Sequence, residues 1–195
     1  MQLNRLFFAL WPDEVARKAC FEATRELKVK LQPSGYATAS DRYHMTMLFL
    51  GDQVSAAHEA SAVQAARLVR MAPFTLTLDH AGSFRNSRNV PWWLGPRRTP
   101  PQLNLLHDRL RDAMLRTDTP IERMRFTPHL TVLRADRPLP PTPIAPIEWR
   151  VEEFVLIRSR LDLQPIAYEI VARWPLDGDD DEAPPPARTQ LDLDF

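Results

Sequence analysis

Tyr43-His44-Met45-Thr46-Met47-Leu48-Phe49-Leu50-Gly51 is the stretch on which the fold turns, and Phe126-Thr127-Pro128-His129-Leu130-Thr131-Val132-Leu133-Arg134 repeats its frame. Each opens an apolar run with the pattern His-x-Thr-x. Side chains of an extended strand alternate between faces, so His44 and Thr46 point one way and Met45 and Met47 the other, as His129 and Thr131 do against Leu130 and Val132. Each copy therefore predicts a half-buried strand that presents an imidazole beside a hydroxyl. A single histidine in such a place is usually a hydrogen-bonded structural residue, and threonine is common in strands through β-propensity alone. Two copies in matching frames point instead to chemistry at a phosphoester, where one imidazole takes a proton and another gives one. Equivalent strands related by a pseudo-twofold axis would set the two rings face to face across a cleft, with a phosphorus between them.

Outward from the first motif, Leu3 to Leu10 is an apolar run suited to a buried central strand. A helix is expected after Pro12-Asp13-Glu14, with Val15, Ala19, Cys20, Ala23 and Leu27 on one face. Pro33-Ser34-Gly35 then breaks the chain ahead of the motif strand. Ser55 can cap a second helix carrying Val63, Ala66 and Val69, and Phe74 to Leu78 alternates as a strand. After a strand from Val90 to Leu94, the spacing of Leu103, Leu106, Leu110 and Met114 predicts a third helix. Beyond the second motif come a proline-rich connection from Pro138 to Pro146 and strands near Val151 to Ile157 and Ala167 to Ala172. The sum is an α+β fold with sheets lining a groove and helices outside.

At 195 residues the chain fits one domain or two small lobes sharing a cleft. No run of apolar residues is long enough to span a membrane, and the N-terminus lacks the pattern of a secretory signal, so the cytoplasm is the expected address. Cys20, the one cysteine, excludes an intramolecular disulfide and a cysteine-rich zinc site. Formal charge sums to zero, but residues 177–195 hold seven acids and one base, which leaves the body 24 bases against 18 acids. A basic body suits an RNA ligand. The tail, with Pro184-Pro185-Pro186 beside its acids, is expected to be mobile and appended to a single domain over residues 1–176.

Taken with the opening Arg5-Leu6-Phe7-Phe8-Ala9-Leu10, the Trp93-Leu94-Gly95 segment and the close from Tyr168 to Leu176, the two motifs resemble those of the two-histidine (2H) phosphoesterases. Within that group the likeness, over roughly residues 3–176, is to the bacterial and archaeal RNA 2',3'-cyclic phosphodiesterases once described as 2'-5' RNA ligases. The resemblance implies a bilobal, internally duplicated arrangement of two antiparallel sheets, no metal or other cofactor, and hydrolysis of RNA or nucleotide 2',3'-cyclic phosphate ends. It further implies His44 as general acid and His129 as general base, so that the 3' oxygen leaves and a 2'-phosphate remains. Thr46 and Thr131 can donate hydrogen bonds to the non-bridging oxygens. Arg134 would supply a fixed positive charge, but its parity is opposite to that of His129, so a bulge or strand end must turn it to the cleft.

A terminal base would stack on aromatic faces, for which Trp93, Phe49 and Phe84 are the candidates, with Tyr43 and Phe126 behind them. Trp92 and Trp93 are adjacent, so one should face the core and the other the groove. Arg85, Arg88, Arg97 and Arg98 could follow an RNA backbone. The expected partners are RNA with 2',3'-cyclic phosphate ends or cyclic nucleotides, acted on by a monomer. Three other readings stay open: a zinc hydrolase using His44, His129 and an acid such as Asp41, a non-catalytic RNA-end-binding module, and 2'-5' ligation by the reverse chemistry. No two of the five histidines have the three- or four-residue spacing of a zinc-binding helix. Arg158 to Pro165 departs from the family, which often has glycine there.

Overall fold

The computed structural model describes residues 4–84, 89–121, 125–160 and 167–178. Nine strands and three helices appear in the order β1 (Asn4–Leu10), α1 (Glu14–Leu31), β2 (Gly35–Ala37), β3 (Met45–Gly51), α2 (Ala56–Ala66), β4 (Phe74–Ser83), β5 (Val90–Gly95), α3 (Pro101–Leu115), β6 (Leu130–Ala135), β7 (Thr142–Val151), β8 (Glu153–Arg160) and β9 (Ala167–Pro175), with a single 3-10 turn at Ser40–Arg42 between β2 and β3. Every pairing is antiparallel. The α+β class expected from the sequence is the fold observed.

The two sheets implied by the resemblance are joined into one, in the order β7-β4-β5-β6-β3-β1-β8-β9, with β2 also on β6. The join is a single residue pair, Met45 opposite Leu130, at the heads of the two motif strands. Continuing that register sets Met47 against Pro128. Proline has no N–H to extend the ladder, and the Met47 carbonyl instead accepts from His107 Nδ1 of α3 at 2.7 Å. The strands therefore part after one pair, and the gap between them is available to a ligand. Strand, helix and strand flank the join on each side, as β1, α1, β3 and as β5, α3, β6.

Both faces of β1 are apolar, which is why its sequence shows no alternation. Leu6, Phe8 and Leu10 lie in the main core with Met45, Met47, Leu130 and Val132, covered by the helices. Phe7 and Ala9 belong to a second cluster with Val155 and Ile157, edged by Trp11, Phe49 and Tyr168 on the opposite face. Leu103, Leu106, Leu110 and Met114 all point inward from α3, as their spacing requires. Helix α2 is capped by Ser55, whose side chain accepts from the His58 N–H, but ends before Val69, which is nonetheless buried. In α1 the buried stripe is Ala16, Cys20, Thr24 and Leu27. Val15, placed on that face by the sequence reading, is 77% exposed because the stripe is rotated by one residue.

The proline-rich connection is also different from expectation. From Thr142 it is already strand β7, paired on one side only, with β4, and the register shifts between Leu78 and His80, opposite the prolines. An edge strand with a bulge tolerates Pro143 and Pro146 because neither N–H is needed on the open side. At the other end, Asp177 pairs with Arg70, and the Gly178 N–H donates to the Met71 carbonyl. Residues 179–195, Arg85, Arg88 and residues 161–166 lie outside the described residues.

Candidate active site

Continuing the Met45–Leu130 register by one residue on each side sets His44 opposite Thr131 and Thr46 opposite His129. By strand alternation all four fall on one face, opposite that of Met45 and Leu130. The two histidines also sense each other electrostatically: charge on His129 makes protonation of His44 harder.

Each ring is held in the same way. His44 Nδ1–H donates to the Arg42 carbonyl at 2.9 Å, and His129 Nδ1–H to the Thr127 carbonyl at 2.7 Å, each two residues back along the chain. A carbonyl only accepts, so these bonds put the neutral-state proton on Nδ1 and leave the Nε2 lone pairs for the cleft. Burial drives the His44 pKa down to about 4, against the pull of the Arg42 carbonyl and reinforced by His129 and the Arg42 guanidinium. Burial likewise lowers that of His129, aided by the charge of Arg134. Without a ligand both imidazoles are neutral at pH 7, and an anion between them would favour adding a proton.

The parity obstacle at Arg134 is removed by a bulge. Trp92 pairs with Leu133 but Trp93 with Thr131, so Val132 is an extra residue in β6 and brings Thr131 and Arg134 onto one face. Their neighbours Val132 and Leu133 are both buried, whereas Thr131 and Arg134 are half-buried. Strand β3 carries the same bulge at Met47, between the Phe8–Leu48 and Ala9–Thr46 pairs, which brings Phe49 onto the face of Thr46. Phe49 thus occupies the position in the first motif that Arg134 occupies in the second, and the Arg5 guanidinium lies 5.6 Å from its ring. Arg134 has no ion-pair partner among the described residues.

A cleft of about 370 Å³ runs between β3 and the segment leading into β6, and Thr46, Phe49, Phe84, Phe126 and His129 line it. His44, Thr131, Arg134 and Trp93 are not in its lining but adjoin it through the register just described. Trp92 is buried in the core, its indole N–H donating to the Arg137 carbonyl, while Trp93 is half-buried on the other face opposite Thr131. Phe84 stands edge-on to His129 at 4.7 Å and contacts Trp93 at 5.9 Å. Tyr43, 1% exposed, is a core residue and leaves the set of base-stacking candidates. Arg97 and Arg98 are exposed beside Thr75, Thr77 and Asp79, at a separate surface. A larger cavity of about 650 Å³, between α2 and α3, contains neither motif histidine.

Besides Arg125, which lines the cleft, four contributors to the site went unread in the sequence. Trp11 stacks nearly parallel to His44 at 6.4 Å, Phe7 lies at 5.1 Å, Tyr168 meets it edge-on at 5.3 Å, and the Arg42 guanidinium sits 4.8 Å from the Tyr168 ring. Alternation along β1 could have found Phe7 and Trp11, which share parity with Ala9, the partner of Thr46. His107 is structural: it holds the bulged Met47 carbonyl and stacks on Phe126 at 4.4 Å. Among the described residues, no three His, Cys, Asp or Glu side chains gather to hold a metal ion.

Paired His-x-Thr-x motifs, meeting at the heads of two strands on the open face of one antiparallel sheet, define a two-histidine phosphoesterase. The sequence model of the 2'-5' RNA ligase superfamily matches residues 11–163, and the chain belongs to that superfamily. A relative from Escherichia coli named RNA 2',3'-cyclic phosphodiesterase is 34% identical over 176 residues, covering 89% of this chain and 97% of its own. A protein of the same name from Thermus thermophilus is 29% identical over 188 residues, with coverages of 90% and 91%. The crystal structure of E. coli LigT in apo form matches with a TM-score of 0.75 at 33% identity, over 90% of this chain and 98% of that one. LigT complexed with 3'-AMP matches at 0.73 and 34% identity, over 91% and 99%.

Proposed function

We propose that the protein hydrolyses 2',3'-cyclic phosphodiester ends of RNA or nucleotides to 2'-phosphomonoesters, by acid/base catalysis from His44 and His129 without a metal. The observation that supports this reading is the single Met45–Leu130 pair, from which both imidazoles and both threonines fall on one face, each ring's Nδ1 tied to a carbonyl and no Nε2 partner found among the described residues. The names of the E. coli and T. thermophilus relatives support the substrate class.

In this mechanism His129 takes a proton from water as the oxygen attacks phosphorus. The bond from phosphorus to the 3' oxygen breaks, and His44 gives that oxygen a proton, so one water is consumed and both rings return to their starting states after proton exchange. The bound phosphodiester monoanion raises the pKa of the buried rings and so supplies the protonated His44 that the free protein lacks at pH 7. Thr46 and Thr131 donate to the non-bridging oxygens, and Arg134 offsets their charge. Trp93, Phe84 and Phe49 border the cleft as stacking surfaces for the terminal base. The same reading assigns the protein to the cytoplasm as a monomer acting on RNA ends; among the described residues no helix is long and apolar enough to cross a membrane.

The test is turnover of a nucleoside 2',3'-cyclic phosphate by the wild type, His44→Ala and His129→Ala, with products separated as 2'- and 3'-phosphates. The expected result is the 2'-phosphate from the wild type and a rate lower by about 100- to 10,000-fold in either variant. Tight binding of the substrate with no turnover by the wild type would favour an end-binding module instead.

A further inference from the structure

Three buried side-chain nitrogens among the described residues have no hydrogen-bond partner: Arg17 Nε, Arg42 Nε and Trp93 Nε1. Trp93 and Arg42 adjoin motif residues, and Arg17 is linked to them through Trp11. Trp93 is paired with Thr131, Arg42 lies two residues before His44, and the Arg17 guanidinium is 5.8 Å from the ring of Trp11, which stacks on His44. Buried donors without partners are rare and costly, so the two arginines on the His44 side signal a missing acceptor.

The two arginines are also short of negative charge. Arg17 donates to the Pro12 carbonyl, and neither it nor Arg42 is ion-paired with a carboxylate of the described residues. Asp13, the acid one turn before Arg17, uses Oδ1 to cap α1 at the Ala16 N–H. Each guanidinium instead lies against an aromatic ring, Arg17 on Trp11 and Arg42 on Tyr168 at 4.8 Å. A cyclic phosphodiester brings one negative charge, for which Arg134 beside His129 and Arg125 in the cleft lining are already placed. Two more cations on the His44 side exceed what that group alone would balance. An oligonucleotide end brings one further charge for each additional nucleotide.

We propose that Arg17 and Arg42, backed by Trp11 and Tyr168, form a second anion subsite that receives the phosphate on the 5' side of the terminal nucleotide. The protein therefore selects RNA ends over free nucleoside 2',3'-cyclic phosphates. This rests on the hydrolytic reading of the histidine pair and adds the part of the substrate that lies beyond it.

The experiment compares kcat/KM for adenosine 2',3'-cyclic phosphate, its 5'-phosphorylated form, and a dinucleotide ending in adenosine 2',3'-cyclic phosphate, for the wild type, Arg17→Gln/Arg42→Gln and Arg17→Lys/Arg42→Lys. The wild type is expected to favour both phosphate-bearing substrates by about tenfold or more, the value of one to two charge-assisted hydrogen bonds. The glutamine variant loses that preference, read as the ratio of kcat/KM between substrates because loss of the Arg42 charge also eases protonation of His44 and shifts the rate on all of them, and the lysine variant regains part of it. Equal rates on all three substrates in the wild type, a preference that survives in the glutamine variant, or an equal loss on every substrate would each overturn the subsite. A preference for the dinucleotide without one for the 5'-phosphate also overturns it, because stacking of a second base then accounts for the choice. Should no substrate turn over, the hydrolytic reading fails by itself, and binding still decides the subsite. Adenosine 2',5'-bisphosphate is then expected to bind the wild type about tenfold more tightly than adenosine 2'-phosphate. Equal affinities reject the proposal.

Discussion

Protonating His44 in the folded protein means charging a ring packed against Phe7, Trp11 and Tyr168, and the cost of that appears as acid sensitivity. Its pKa falls from an ordinary 6.5 to about 4 on folding. Between those values the unfolded chain binds a proton that the folded chain refuses, so stability rises with pH there and is lost as pH falls from about 6.5 towards 4. Linkage over that interval gives a loss of about 2 kcal/mol between pH 7 and pH 5, and about 3 kcal/mol by pH 4. His44→Asn removes the titrating group but keeps an amide N–H that can reach the Arg42 carbonyl. Urea unfolding of wild type and variant at pH 7 and pH 5 measures the difference directly, since the carboxylates contribute equally to both. The wild type should lose about 2 kcal/mol more than the variant. Equal losses would show that the ring titrates normally and that its enclosure is not as described.

Replacing Thr46 or Thr131 by valine keeps shape and strand propensity while removing a donor, and should lower kcat by about tenfold to a hundredfold with little change in thermal midpoint. Arg134→Ala should weaken binding of the cyclic phosphate and of product. It should also ease protonation of His129, moving the corresponding limb of the kcat/KM profile upward in pH, since Arg134 is one cause of the lowered value. Exhaustive chelation with EDTA should leave turnover intact, whereas loss restored by added zinc would support the metal reading with His44, His129 and an acid.

The sequence made the motif strands and the inward stripe of α3 legible because both are local: alternation and 3.6-residue spacing are visible in a single window. What it could not show was register. The matching bulges at Met47 and Val132 depend on how β3 lies against β1 and β6 against β5, and they decide which way Phe49 and Arg134 face. Trp11 and Tyr168 reach His44 only because β1 pairs with both β3 and β8, and β8 with β9. The one-residue rotation of the α1 stripe reflects a helix with small residues, Ala16 and Thr24, on its buried side, where apolar pattern alone favoured Val15. Prolines in β7 read as a connection because the open edge that tolerates them is a property of the sheet order.

A crystal structure of the protein with a nucleoside 2'-phosphate would examine the pairing of the histidines most directly. The ribose 3' oxygen should lie about 2.6 to 3.2 Å from His44 Nε2 and a phosphate oxygen at the same reach from His129 Nε2, with Thr46 and Thr131 beside the phosphate. A nucleotide that reaches one ring alone, or is bound away from both, would contradict a shared reaction centre.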